Sequence, residues 1–119
     1  MKVSEITTDL PPETLRKVDE WLEIKYGNIG NFRTDAALGG GGCVLYVNSV
    51  RRYTTSIDPA LWLCERMRIK VKITMQFTSK SPSGVSIEKH FEYINSLSDL
   101  PSAIVRGVLR SQGIVEVEV

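Results

Sequence analysis

The feature that most restricts this chain is the alternation over residues 67–80. Ile69, Val71, Ile73, Met75 and Phe77 take every second position, with Arg68, Lys70, Lys72, Thr74, Gln76 and Thr78 between them. Successive side chains of a strand point to opposite faces, so this spacing predicts a strand with one apolar and one polar side. Ser81-Pro82-Ser83-Gly84 is turn chemistry. A second strand is expected after it, with Ile87, Phe91 and Tyr93 on the apolar face and Glu88, His90 and Glu92 on the other. Met67–Asn95 then forms an antiparallel hairpin. Matching its apolar faces sets Lys70 and Lys72 near Glu88 and Glu92, and opposite charges across strands are mildly stabilising.

A hairpin with one apolar face needs a cover, and two amphipathic helices are expected to supply it. Residues 11–26 put Leu15, Val18 and Leu22 on one face, flanked by Trp21 and Tyr26. Asp9 or a neighbour can cap this helix, Pro11 and Pro12 suit its first turn, and Gly27 is placed to end it. A second helix spans about 101–112, with Ile104, Val105, Val108 and Leu109 inward, Arg106 and Arg110 on the opposite side, and Gly113 as its stop. Thr8-Asp9-Leu10-Pro11 and Ser98-Asp99-Leu100-Pro101 lead into the two helices as a weak internal echo.

The remaining segments are shorter. Residues 43–47 read as a buried strand, and Asp58-Pro59 opens a short helix through Trp62 and Cys64. Residues 28–42 are rich in Gly and Asn and read as a loop. Residues 114–119 alternate as a strand paired in a sheet, with Val115, Val117 and Val119 inward. The expectation is one α+β domain over residues 1–119, an antiparallel or mixed sheet of four to six strands packed by two helices. A ferredoxin-like split βαβ arrangement with an irregular insertion at 28–66 fits this order.

Composition decides what kind of chain this is. With 42% apolar and 24% charged residues it has enough to build a core, which excludes a disordered tail. No apolar run approaches the roughly 18 residues of a membrane span, and Met1-Lys2-Val3-Ser4-Glu5 does not open a signal peptide. Cys43 and Cys64 are too few for a disulfide framework and are expected to be reduced, which points to the cytoplasm and to no membrane partner.

Net charge is +1, but residues 51–80 hold seven Lys/Arg against two Asp/Glu while the rest hold eight against twelve. A basic segment beside a mildly acidic remainder bears on partners. The candidate ligand-binding residues are Arg51, Arg52, Tyr53, Arg68, Lys70 and Lys72, joined by the backbone of Gly40 and Gly41 in the run Gly39–Gly42. Consecutive glycines can turn N–H groups toward an anion. No Gly-Lys-Ser/Thr follows, so a phosphate loop is excluded and a flexible connector is the plainer reading.

The expected function is a non-catalytic binding protein that self-associates and takes an anionic small molecule such as a nucleotide, with no cofactor. A nucleic-acid-binding regulator is the alternative. Against it, the polar face of the 67–80 strand carries no aromatic, so a stacking platform is not expected there. A third class pairs Cys43 or Cys64 with the single histidine, His90, as nucleophile and base. His90 between two glutamates reads more simply as a surface group. Asp19, Glu20 and Glu23, crowded on one helix, and the alternating Glu116 and Glu118 read as solubility residues, while Trp21 and Trp62 read as core or interface anchors.

Overall fold

The computed structural model describes residues 1–27, 32–34, 43–45, 50–74 and 83–119. In chain order these form β1 (Lys2–Val3), α1 (Pro12–Tyr26), β2 (Phe32–Thr34), β3 (Cys43–Leu45), α2 (Ile57–Arg66), β4 (Val71–Thr74), β5 (Gly84–Ile87), β6 (His90–Tyr93), a 3-10 turn (Leu97–Asp99), α3 (Leu100–Ser111) and β7 (Val117–Glu118). The architecture is α+β, and every described ladder is antiparallel. These ladders form three separate sheets: β1–β7, β2–β3 and β4–β5–β6. Among the described residues they do not join into the single sheet of four to six strands expected from the sequence, which a split βαβ arrangement requires. The described residues hold three helices where two amphipathic helices were expected to pack the sheet, the third being the short Asp58-Pro59 helix grown into α2.

α1 starts as its prolines dictate. Pro11 stands at the N-cap with an extended backbone and Pro12 opens the first turn, where a missing N–H costs nothing. No side chain caps it, so Asp9 does not take the expected role. α3 begins the same way with Pro101, and the starts of the two helices touch: the Thr8 hydroxyl donates to Asp99 Oδ1 at 2.9 Å. Gly113 closes α3 at φ +75, a left-handed conformation that glycine adopts without a Cβ clash, and Ile114 N–H returns to the Leu109 carbonyl at 2.8 Å.

α3 is the centre of the molecule. It packs against β5 and β6 on one side and α2 on the other. Ile104, Val105 and Val108 are fully buried there with Leu63 of α2 and with Val85 and Ile87 of β5. Leu15, Val18 and Leu22 of α1 and Tyr53 belong to the same cluster. Each such aliphatic side chain contributes about 1.5–3 kcal/mol on leaving water.

The expected hairpin forms in part. β4 pairs with β5 antiparallel, with Val71 opposite Ile87 and Ile73 opposite Val85, so Val71 and Ile73 do face the helix side. The strand is shorter at its start than the alternation predicts. Met67, Arg68 and Ile69 N–H groups still bond back to Leu63, Glu65 and Cys64 carbonyls, so residues 67–69 complete the exit from α2. Arg68 sits at φ 56 in that exit. Residues 75–80 lie outside the described residues.

The second half of the hairpin departs from expectation in a way that matters for function. Ile87 pairs with His90 across a two-residue turn, Glu88-Lys89, with Glu88 at φ 54. Where the alternation predicts one strand, the chain forms two. Paired residues share a face, so Ile87 and His90 point the same way and Phe91 and Tyr93 point the other. Val85 is likewise opposite Glu92. Ile73 and Phe91 therefore lie on opposite sides of the sheet, and the predicted face of Ile87, Phe91 and Tyr93 does not exist.

Glu92 is turned inward and neutralised. Arg106 Nε donates to Glu92 Oε2 at 3.2 Å and its Nη1 donates to the Ile6 carbonyl at 2.5 Å, while Arg110 meets Glu92 Oε1 in an ion pair. The arginines expected on the outer side of α3 thus clamp the sheet and the N-terminal segment, and the predicted Lys70/Lys72 pairing with Glu92 is not made. At the last strand, Val117 is buried as predicted but Val115 is 74% exposed, because only Val117–Glu118 pairs with β1.

Candidate functional site

α1 carries two carboxylates where its packing face should be apolar. Asp19 and Glu23 are one turn apart and in phase with Leu15 and Leu22, so they point inward with them. Asp19 is 5% exposed and Glu23 is fully buried. Neither is the solubility residue that its charge predicts. The segment after Val50 runs alongside this face and answers each carboxylate differently.

Glu23 is enclosed. Arg51 Nη1 donates to Glu23 Oε1 at 2.7 Å, and the Tyr53 hydroxyl donates to Oε2. The Arg51 guanidinium lies over the Trp62 ring at 3.9 Å, which holds the cation in place from its other side. Burial, and then the neighbouring Glu23, push the Tyr53 hydroxyl well above its usual range, so it stays a donor. Gly27 ends α1 beside this cluster, and a Cβ there would collide with the Glu23 carboxylate and carbonyl.

Asp19 is open on one side. Thr54 donates to Asp19 Oδ1 twice, from its N–H at 2.9 Å and from its hydroxyl at 2.8 Å. Burial pushes the carboxyl up to about 6, against the lowering effect of these bonds and of the Arg52 charge. The tight turn that makes this possible runs from the Arg52 carbonyl to the N–H groups of Thr55 and Ser56, so Tyr53 and Thr54 face inward while Arg52 stays outside.

Asp19 lines a cleft of about 460 Å³ between the N-terminal turn, α1 and residues 50–55. Leu10, Pro12, Leu15 and Val50 give it apolar walls, and Arg16 and Arg52 bring two positive charges. The size falls within the range of sites that enclose small molecules, and such sites combine apolar walls with a few placed polar groups.

The candidate residues from the sequence are thereby divided. Arg52 reaches the cleft. Arg51 is bound to Glu23, and Tyr53 is fully buried. Arg68, Lys70 and Lys72 are exposed, and none of them lines the cleft among the described residues. Gly40 and Gly41 lie outside the described residues. Sequence reasoning misses Asp19, Arg16 and Thr54; the signal for the first is a carboxylate repeating at helical spacing on an apolar stripe.

No protein-family model, curated protein or solved structure matches this chain. The chemistry of its residues therefore carries the functional reading alone. Burial pushes the Cys64 thiol up to about 11, which leaves it protonated and a poor nucleophile at neutral pH. No group of three or more His, Cys, Asp or Glu among the described residues is placed to hold a metal ion. No helix among the described residues is long and apolar enough to cross a membrane.

Proposed function

We propose that this chain is a cytoplasmic, non-catalytic binding protein that holds an anionic small molecule, of the nucleotide or phosphorylated class, in the Asp19–Arg52 cleft. The observation that carries this reading is the joining, in one cleft of ligand size, of two arginines with a carboxylate that is costly to bury. Arg16 and Arg52 take the ligand's anionic group. Asp19 accepts a hydrogen bond from a hydroxyl, amide or amine on the same molecule, and the apolar walls cover the ligand's body. A molecule with only the anion would be repelled by Asp19 once ionised, so the site favours ligands that carry both features.

Calorimetry with a panel of nucleotides and sugar phosphates tests the proposal. Heat is expected with a subset, with affinity reduced at least about tenfold in Arg52→Ala, the loss of one charge-assisted bond. No heat across the panel removes the reading. The charge asymmetry between residues 51–80 and the remainder also supports self-association by complementary docking. Native mass spectrometry should then show a dimer or larger assembly that dissociates as salt rises, and a monomer at low salt excludes it.

A further inference from the structure

We infer that the outer face of the β4–β5–β6 sheet is a stacking platform for single-stranded nucleic acid. This surface is separate from the cleft, and the inference does not depend on what the cleft holds. It arises from the turn at Glu88-Lys89, which directs Phe91 and Tyr93 away from α3.

By register, the outer face consists of Lys72, Thr74, Gly84, Ser86, Phe91 and Tyr93. These six positions hold two aromatic rings, two aliphatic hydroxyls, one cation and no acid. Phe91 is 44% exposed and Tyr93 67% exposed, with ring centroids 4.8 Å apart and planes at 80°. Gly84 fits this arrangement: a Cβ there would collide with the Phe91 ring, so its absence lets the ring lie across the neighbouring strand. Glu92, the acid next to both rings in sequence, is turned to the opposite face and held by Arg106 and Arg110. Lys70 and Lys89 add exposed positive charge nearby, against Glu88 in the turn.

Size and chemistry together select the occupant. Among the described residues, three strands about 4.8 Å apart and four residues long give a face of roughly 14 Å by 10 Å, far below the ~800 Å² per partner of a stable protein interface. A second copy is therefore a poor fit, whereas two or three unstacked bases match it. The chemistry agrees, because bases of any identity stack on aromatic rings while lysines meet the phosphates.

The test is fluorescence anisotropy with a labelled oligothymidylate and its RNA counterpart, using the full chain. Binding is expected at low salt and should weaken as salt rises. Tyr93→Ala, at an exposed position, should weaken it by about 5- to 150-fold, the range for losing one stacked base. Lys72→Ala should reduce the log–log salt slope by about 0.7. Oligonucleotide binding lost in Arg52→Ala but kept in Tyr93→Ala would place the strand in the cleft and overturn the inference. The inference is overturned by no anisotropy change at low salt, by equal binding of Tyr93→Ala, or by equal affinity for a duplex of the same length. A dimer that Tyr93→Ala converts to monomer would overturn it as well, in favour of a protein partner.

Discussion

One turn of α1 separates two buried carboxylates with opposite fates. At the Glu23 end every direction is closed: a guanidinium, a phenol and the chain at Gly27 surround the group. At the Asp19 end a threonine satisfies one oxygen and the cleft begins. The same helix, the same spacing and the same following segment thus build a structural ion pair and a cleft-lining acceptor side by side. A buried charge that is fully partnered belongs to the fold. A buried charge left partly open costs stability, and binding is a reason to keep it.

The largest effect should come from breaking the closed end. Glu23→Ala leaves Arg51 and the Tyr53 hydroxyl without their shared acceptor, and removing one partner of a buried pair costs about 3–5 kcal/mol. Urea denaturation measures it, and a loss under about 1 kcal/mol would show that the enclosure contributes little.

The open end should reveal itself through pH. The folded Asp19 carboxyl stands near 6 against an ordinary value of 3.8. The fold favours its protonated form, so its contribution is fully present below about pH 4 and is lost as pH rises through 6. The difference is about 3 kcal/mol at most. Asp19→Asn keeps an acceptor for Thr54 and removes this dependence. The variant should be more stable than the wild type at pH 7, indistinguishable from it near pH 4, and weaker in ligand binding. Equal urea midpoints at both pH values would mean that Asp19 is not strained.

Smaller changes sharpen the contrast. Tyr53→Phe removes one donor from Glu23 and should cost about 1–3 kcal/mol, with Arg51 still in place. Arg52→Ala should alter stability by no more than about 0.5 kcal/mol, as exposed substitutions do. It should also raise the Asp19 carboxyl further, because the Arg52 charge is one of the effects that lower it. NMR titration of the Asp19 carboxyl carbon reads that shift, and an unmoved midpoint would separate Arg52 from the site.

How much of this can be read along the chain depends on the range of the interaction. α1, α2 and α3 are legible because prolines, an Asp-Pro pair and apolar spacing act within a few residues. β4 keeps its predicted phase for the same reason. The turn at Glu88-Lys89 is not legible, since neither residue is one of those that usually mark a tight turn, and Glu88 adopts a positive φ without glycine. The contacts that make the site join residues about thirty apart, Asp19 to Thr54 and Glu23 to Arg51 and Tyr53. No local pattern announces which of the seven cations in 51–80 will be taken inward. Even so, the in-phase positions of Asp19 and Glu23 on the Leu15–Leu22 stripe are visible in the sequence, and a reading weighted by charge alone sends them to the surface.

The two-residue link between β5 and β6 has a consequence for how this protein can change over time. Inserting or deleting one residue there would exchange inside for outside along the whole of β6. Both rings would be driven against α3, Glu92 would be cast into water, and Arg106 and Arg110 would be stranded. Length at this point is therefore as tightly constrained as identity is in the core, and related chains should vary the letters at 88 and 89 far more freely than their number.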